Sequence, residues 1–169
     1  MKRIITLAVL ISVCYVLQAG VFSFFKMAGI APNIMLILVV SFALMRGQTE
    51  GMLIGFFCGL VLDVFSGDVI GLYALFYVFI GYINGSFHQI FYANNILLPL
   101  ALVLGNGICY NMVIYICAFL LRNKTDFIFY FVHIIIPDVT YTFLVAIFLY
   151  NIFLWINTIL ERLEKRSAA

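Results

Sequence analysis

The sequence contains few charged residues. Lys, Arg, Asp and Glu make up 9% of its 169 residues, whereas soluble domains contain about 25%. The most polar loop, residues 122–126, is too short to fold by itself. A net charge of +2 gives no indication of nucleic-acid binding. These absences exclude a separate soluble domain, and we expect one integral membrane domain over residues 1–169.

Spacings typical of metal or redox sites are also missing. The four cysteines lie within apolar segments and form no C-x-x-C pair, which gives no support for zinc binding or disulfide exchange. His88 and His133 are isolated, without the spacing of metal ligands. We therefore predict no metal and no cofactor.

Motifs of small membrane enzymes are absent or broken. Intramembrane aspartyl proteases need Gly-x-Gly-Asp, and residues 65–68 lack its first glycine. Lipoprotein signal peptidases need Gly-Asn-x-x-Asp-Arg, but residues 105–109, Gly-Asn-Gly-Ile-Cys, have a cysteine in place of the aspartate. The start of the CDP-alcohol transferase motif is missing. The sequence predicts no catalytic residues; a carboxylate pair of Asp63 and Asp138 is the one alternative left open.

Apolar residues dominate what is present. They make up 66% of the chain, and the mean hydropathy is +1.21. Apolar runs of roughly 18 residues or more are read as transmembrane helices. We predict an all-α membrane protein with six spans: about 4–24, 33–45, 51–65, 71–91, 96–121 and 137–160. Spans two and three are short, and short spans are expected inside a bundle, where protein covers their backbone.

The ends of the chain are predicted to lie in the cytoplasm. Residues 17–19, Leu-Gln-Ala, lack the first small residue of a signal-peptidase site, so the first span is expected to stay uncleaved. Basic residues collect in cytoplasmic loops. With six spans, six basic residues fall inside and three fall outside. Residues 127–136 are apolar but precede Pro137, which favours an interfacial or re-entrant segment there.

Glycine recurs every fourth residue in the third span. Gly51, Gly55 and Gly59 share one slowly winding stripe, and Asp63 takes the next position. Lipid supplies no hydrophobic force between helices, so small residues that allow close backbone approach favour packing. The sequence predicts a docking face there, and a second one at Gly81 and Gly85.

The carboxylate of Asp63 is costly in lipid and is expected to face protein or water. One interpretation is a buried structural residue whose partner is Asn106 or Asn111. The other is contact with an ion or ligand in a cavity.

Further polar and turn residues are assigned structural roles. Asp138 is expected to cap the sixth span, and the asparagines are expected to join helices. The predicted loop or cap residues are Pro32, Asn33, Gly71, Pro137 and Asp138, and the predicted joining asparagines are Asn84, Asn106, Asn111, Asn151 and Asn157.

Three stretches together resemble the MreD family of rod shape-determining proteins. They are Pro32-Asn-Ile-Met, the run from Arg46 to Asp63 with its Gly-Phe-x-x-Gly-Leu-x-x-Asp core, and the glycines at 71 and 81. The resemblance is clear over residues 31–85, and elsewhere the assignment depends on hydropathy.

The resemblance implies a non-catalytic scaffold of the bacterial cell-elongation machinery in the inner (plasma) membrane. It implies a bitopic MreC-type partner, association with MreB and the rod-type peptidoglycan polymerase and transpeptidase, and contact with membrane lipid. It also implies the six-helix fold of the substrate-binding S-components of energy-coupling factor transporters. A vitamin-type S-component is therefore the alternative function, although the first span lacks the Ala-x-x-x-Ala that such components often carry.

Overall fold

The computed structural model describes residues 2–21, 31–66, 71–90, 96–122 and 127–167, and no strand occurs among them. The all-α prediction is therefore confirmed for the described chain. The main helices are α1 (Lys2–Val16), α2 (Ile34–Arg46), α3 (Gln48–Ser66), α4 (Leu72–Ser86), α5 (Leu97–Arg122) and α6 (Ile136–Ser167). A π-helical turn, Leu17–Val21, follows α1, and a 3-10 turn, Phe87–Ile90, follows α4.

Helix α2 forms the centre of the bundle. Its residues from Ile34 to Met45 are all buried, and it packs against α1, α3, α4, α5 and α6. A helix that is apolar all round is covered either by other elements or by lipid, and here the other helices cover it. At 13 residues it is about 20 Å long, shorter than the roughly 30 Å hydrocarbon core. The prediction that the second span lies inside the bundle is confirmed.

Helix α3 differs from the prediction for the third span. It has 19 residues, about 28 Å, and six of its large apolar side chains are exposed. The expectation that this span is short and interior is wrong, because its neighbours cover only part of its surface. Its exposed apolar residues are Leu53, Phe56, Phe57, Leu60, Val64 and Phe65.

A single residue, Gly47, separates α2 from α3. Its φ of 91° lies in the left-handed region that residues with a Cβ rarely adopt, and its N–H donates to the carbonyl of Ala43 at 2.8 Å. The chain therefore reverses within one residue. Gln48, Thr49 and Glu50, predicted as part of a polar turn, instead form the first turn of α3.

The segment before α6 is helical. A short turn, Phe127–Tyr130, and a π-helical turn, Phe131–Ile135, lead directly into α6, and the N–H of Ile136 donates to the carbonyl of Phe131. Proline lacks an N–H and clashes with the carbonyl four residues earlier in a regular helix; the wider π-turn relieves that conflict. Pro137, near which the sixth span was predicted to begin, therefore lies within a continuous helical segment, and the interfacial or re-entrant placement of residues 127–136 stays a prediction.

Three helices of the described chain are long and apolar enough to cross a membrane. The qualifying stretches are Gln48–Phe65, Leu97–Ile116 and Phe131–Arg162, and shorter apolar helices occupy Ile5–Gly20 and Ile34–Arg46. The six-span arrangement stays a prediction.

Candidate functional site

Helices α3 and α4 make the most extensive helix–helix contact in the described chain, and glycines line it. A Cβ built on Gly51 would lie 2.7 Å from the carbonyl oxygen of Gly81. One on Gly55 would overlap the carbonyl of Tyr77, and one on Gly59 would lie 2.5 Å from that of Tyr73. As residue numbers rise along α3, those of the contacted residues fall along α4, so the two helices run antiparallel at van der Waals contact of their backbones.

The second predicted glycine pair lies on the same contact. Gly81 faces the backbone of Gly51, and a Cβ on Gly85 would lie 2.5 Å from the Cα of Gln48. All five predicted packing glycines are therefore brought together between α3 and α4, where no larger residue fits. We call this pair of helices, Gln48–Ser66 and Leu72–Ser86, the glycine-packed pair.

Asp63 lies where the glycine stripe reaches the beginning of α4. Its Oδ1 accepts from the N–H of Tyr73 at 3.0 Å, and its Oδ2 accepts from the N–H of Ala74 at 2.9 Å. The first N–H groups of a helix have no intrahelical partner, and they favour negative charge. Asp63 thus caps the next helix while it is itself 3% exposed. The prediction that its partner is Asn106 or Asn111 is wrong, because both carboxylate oxygens bind N–H groups at the N-terminus of α4.

Gly71 precedes the helix that Asp63 caps. Its φ is 97°, and no atom of the described residues would lie within 4 Å of a Cβ added there, so its backbone conformation explains the glycine. The backbone turns at Gly71 and presents the N–H groups of Tyr73 and Ala74 to the Asp63 carboxylate.

A second group of polar side chains surrounds the beginning of α2. The Oδ1 of Asn33 caps this helix by accepting from the N–H of Leu36 at 3.1 Å, and it also accepts from the Tyr77 hydroxyl at 2.9 Å. The N–H of Asn33 donates to Oγ1 of Thr142 at 3.0 Å. We call Asn33, Tyr77 and Thr142 the Asn33 cluster; it joins α2 to α4 and α6. Pro32, also buried, directly precedes it.

Asp138 lies one helical turn before Thr142. Its Oδ2 accepts from Nδ2 of Asn111 at 2.6 Å, which joins α6 to α5. The prediction that Asp138 caps a helix is wrong, since the chain is already helical before it and no helix terminus is present. Asp63 and Asp138 bind different groups, and no hydrogen bond joins them in the described chain, so the geometry offers no shared carboxylate site.

The asparagines differ in what they join. Asn84 and Asn106 exchange two hydrogen bonds, of 3.1 and 2.9 Å, between α4 and α5. Asn157 accepts from Nε of Arg46 at 2.5 Å, between α6 and α2. Asn151 is exposed and donates to the carbonyl of Ile147 in its own helix, so the expectation that it joins helices is wrong.

Several of these contacts were not predicted from the sequence. Tyr77 and Thr142 sit among apolar residues, and only the fold shows that their hydroxyls reach Asn33. His88 contacts the carbonyl of Leu44 through Nδ1 at 2.6 Å, beside the one-residue turn. One feature of the sequence could have indicated these contacts. Polar residues are rare in these helices, and a polar group within a membrane needs a partner.

A comparison with protein families identifies the chain. The family model described as rod shape-determining protein MreD matches residues 1–160. The chain belongs to the MreD family. It is thus a rod shape-determining membrane protein, and MreD proteins are not known as enzymes. The match extends well beyond residues 31–85, where the motifs resemble the family.

No curated protein and no solved structure matches the chain. The likeness to S-components of energy-coupling factor transporters stays a prediction. The glycine-packed pair with its Asp63 cap lies within the region that carries the MreD motifs, so the motif residues Gly55, Gly59 and Asp63 of this MreD family member hold α3 against α4.

Proposed function

We propose that this MreD family member is a non-catalytic scaffold of the cell-elongation machinery, and that it binds the transmembrane helix of a bitopic MreC-type protein. Through that partner it would associate with MreB and with the rod-type peptidoglycan polymerase and transpeptidase. Membership of the MreD family is the observation that carries this proposal.

The distribution of polar groups supports a scaffold. The buried acids and amides named above bind the chain's own groups: Asp63 binds the backbone of α4, and Asp138 binds Asn111. Side chains engaged in this way hold helices in position. The surface left for a partner is apolar, as on α3, where Phe56 and Leu60 are exposed, and on α4, where Phe79 is exposed. Helices associate in lipid through packing of such surfaces.

We also propose an inner-membrane location, six spans and cytoplasmic termini. The excess of basic residues in the loops assigned to the inside supports this orientation. Single cysteines placed after Ser167 and in the 122–126 loop of a cysteine-free variant would test it by labelling of intact cells with an impermeant maleimide. Labelling of the loop but not of the tail is expected.

Co-expression with an MreC-type protein tests the scaffold. We expect a complex that copurifies in detergent at fixed stoichiometry, while an unrelated bitopic protein of the same orientation does not copurify. A photo-crosslinking residue at Leu60, Phe79 or Phe148 would identify the contact, since these three exposed positions lie on α3, α4 and α6. A monodisperse protein that never captures the MreC-type partner would refute the proposal.

A further inference from the structure

An apolar crevice lies between α1 and α3. Its volume is about 430 Å³, and four residues from each helix line it. The one hydroxyl in its wall, that of Ser12, donates to the carbonyl of Ala8 at 2.9 Å and is thus bonded within its own helix. The crevice therefore offers hydrocarbon contact and suits an apolar occupant. Its lining residues are Leu7, Ala8, Ile11, Ser12, Leu53, Ile54, Phe57 and Val61.

Two aromatic rings meet beyond one end of the crevice lining. Beyond it, the rings of Tyr15 and Phe65 meet with centroids 5.0 Å apart, and Cys14 and Cys58 are buried between the two helices. On α3 the lining runs from Leu53 to Val61, and eight helical steps separate these residues by about 12 Å. One leaflet of a bilayer has about 15 Å of hydrocarbon, half of the roughly 30 Å core. The length of the crevice thus matches one leaflet, whereas a transmembrane helix would need a groove open over both.

The other end of the crevice lining lies near the beginning of both helices. The first lining residue of α1, Leu7, and that of α3, Leu53, each come five residues after the start of the helix. Gln48, Thr49 and the acid Glu50 precede the lining on α3, and the two basic residues Lys2 and Arg3 begin α1, so basic residues outnumber acidic ones where the two helices begin. Basic residues at the membrane surface attract anionic headgroups.

We propose that this crevice binds one acyl chain of an anionic phospholipid from the leaflet at which α1 and α3 begin. The chain fills the apolar space between Leu7 and Val61, and the headgroup lies beside the first turn of α1. Such a lipid joins α1 to α3 over the part of the interface where the two helices do not touch. This inference does not depend on the partner proposed above.

Native mass spectrometry of the full chain, titrated with phosphatidylglycerol in detergent, tests the site. Ala8→Phe places a ring in the crevice, and Ala101→Phe is its matched control, since Ala101 is an equally exposed helical alanine on α5. We expect wild type and Ala101→Phe to retain one lipid and Ala8→Phe to bind it at least tenfold more weakly. Equal retention by both variants would overturn the proposal.

A second measurement does not depend on the folding of Ala8→Phe. In a Trp155→Phe background, Phe57→Trp places an indole in the crevice wall, and Phe79→Trp places one on α4 at the same exposure, 55%. With brominated phosphatidylglycerol we expect half-quenching at position 57 at a mole fraction at least threefold lower than at 79. Brominated phosphatidylcholine should show a smaller preference, and equal preference would refute the role of the anionic headgroup.

Coincident quenching curves at positions 57 and 79 would overturn the lipid site. If an MreC-type partner then shields the indole at 57, the crevice receives a protein helix instead.

Discussion

The Asp63 carboxylate of α3 binds the N–H of Ala74, the third residue of α4, at 2.9 Å, and its other oxygen binds the N–H of Tyr73 at 3.0 Å. Asp63 is thus the point at which the end of one helix is bonded to the beginning of the next. The glycine stripe brings the two backbones together, and the carboxylate satisfies the donors that this approach buries.

Replacement of Asp63 should destabilise the protein in proportion to the acceptors lost. Asp63→Leu leaves the N–H groups of Tyr73 and Ala74 unpaired, the first part-buried and the second buried, and an unpaired buried group costs about 1–3 kcal/mol, so we expect a loss of about 2 kcal/mol in the free energy of unfolding. Asp63→Asn keeps one acceptor and should lose about 1 kcal/mol. Steric trapping in bicelles measures both. Wild-type stability of Asp63→Leu would refute the capping role.

We expect alanine to be tolerated at Gly105 but not at Gly55. A Cβ at Gly55 overlaps the carbonyl of Tyr77, whereas a Cβ at Gly105 meets nothing within 4 Å. Overpacking costs roughly 1–3 kcal/mol, so Gly55→Ala should lower the unfolding free energy by that amount. Gly105→Ala should be neutral or slightly stabilising, because alanine is the better helix former. Melting temperatures in one detergent compare them, and equal values would contradict close packing at Gly55.

Two buried tyrosines should respond in opposite ways to loss of the hydroxyl. The Tyr77 hydroxyl donates to Asn33, whereas that of Tyr150 is buried and has no hydrogen-bond partner among the residues that the structure describes. Tyr77→Phe should destabilise by about 1 kcal/mol. Tyr150→Phe should be neutral or stabilising, since it removes an unsatisfied buried group. The two variants are each other's control in thermal unfolding. A destabilised Tyr150→Phe would show that its hydroxyl has a partner in the membrane.

The Asn84–Asn106 pair should show coupling in a double-mutant cycle. The two amides exchange hydrogen bonds, so replacing either one by Leu removes both interhelical bonds, and the remaining amide keeps only its bond to a carbonyl of its own helix. Interhelical hydrogen bonds in membrane proteins contribute on average about 0.6 kcal/mol and at most about 1.7 kcal/mol. We expect a coupling energy in this range, measured by unfolding of both single variants and the double variant. Independent effects would mean that the pair does not hold α4 to α5.

The helices themselves follow closely from the sequence. The predicted fifth span, 96–121, corresponds to Leu97–Arg122, and the second, 33–45, to Ile34–Arg46, because long apolar runs bounded by Asn, Gly or Arg leave few alternatives. Less was predictable near residue 137. A proline normally ends a helix, and the π-turn that accommodates it depends on hydrogen bonds between residues that no short motif specifies.

The sequence by itself determined that the chain is apolar and helical, that glycines recur at helical spacing on its third span, and that an acid continues their stripe. Only the tertiary structure decided which groups the polar side chains bind. From the sequence, Asp63 was expected to bind Asn106 or Asn111, and Asp138 was expected to cap a helix. In the structure Asp63 caps α4, and Asp138 binds Asn111. The physical reason is that helix periodicity fixes which residues share a face, whereas the register and crossing of two helices fix which donor lies within about 3 Å of an acceptor.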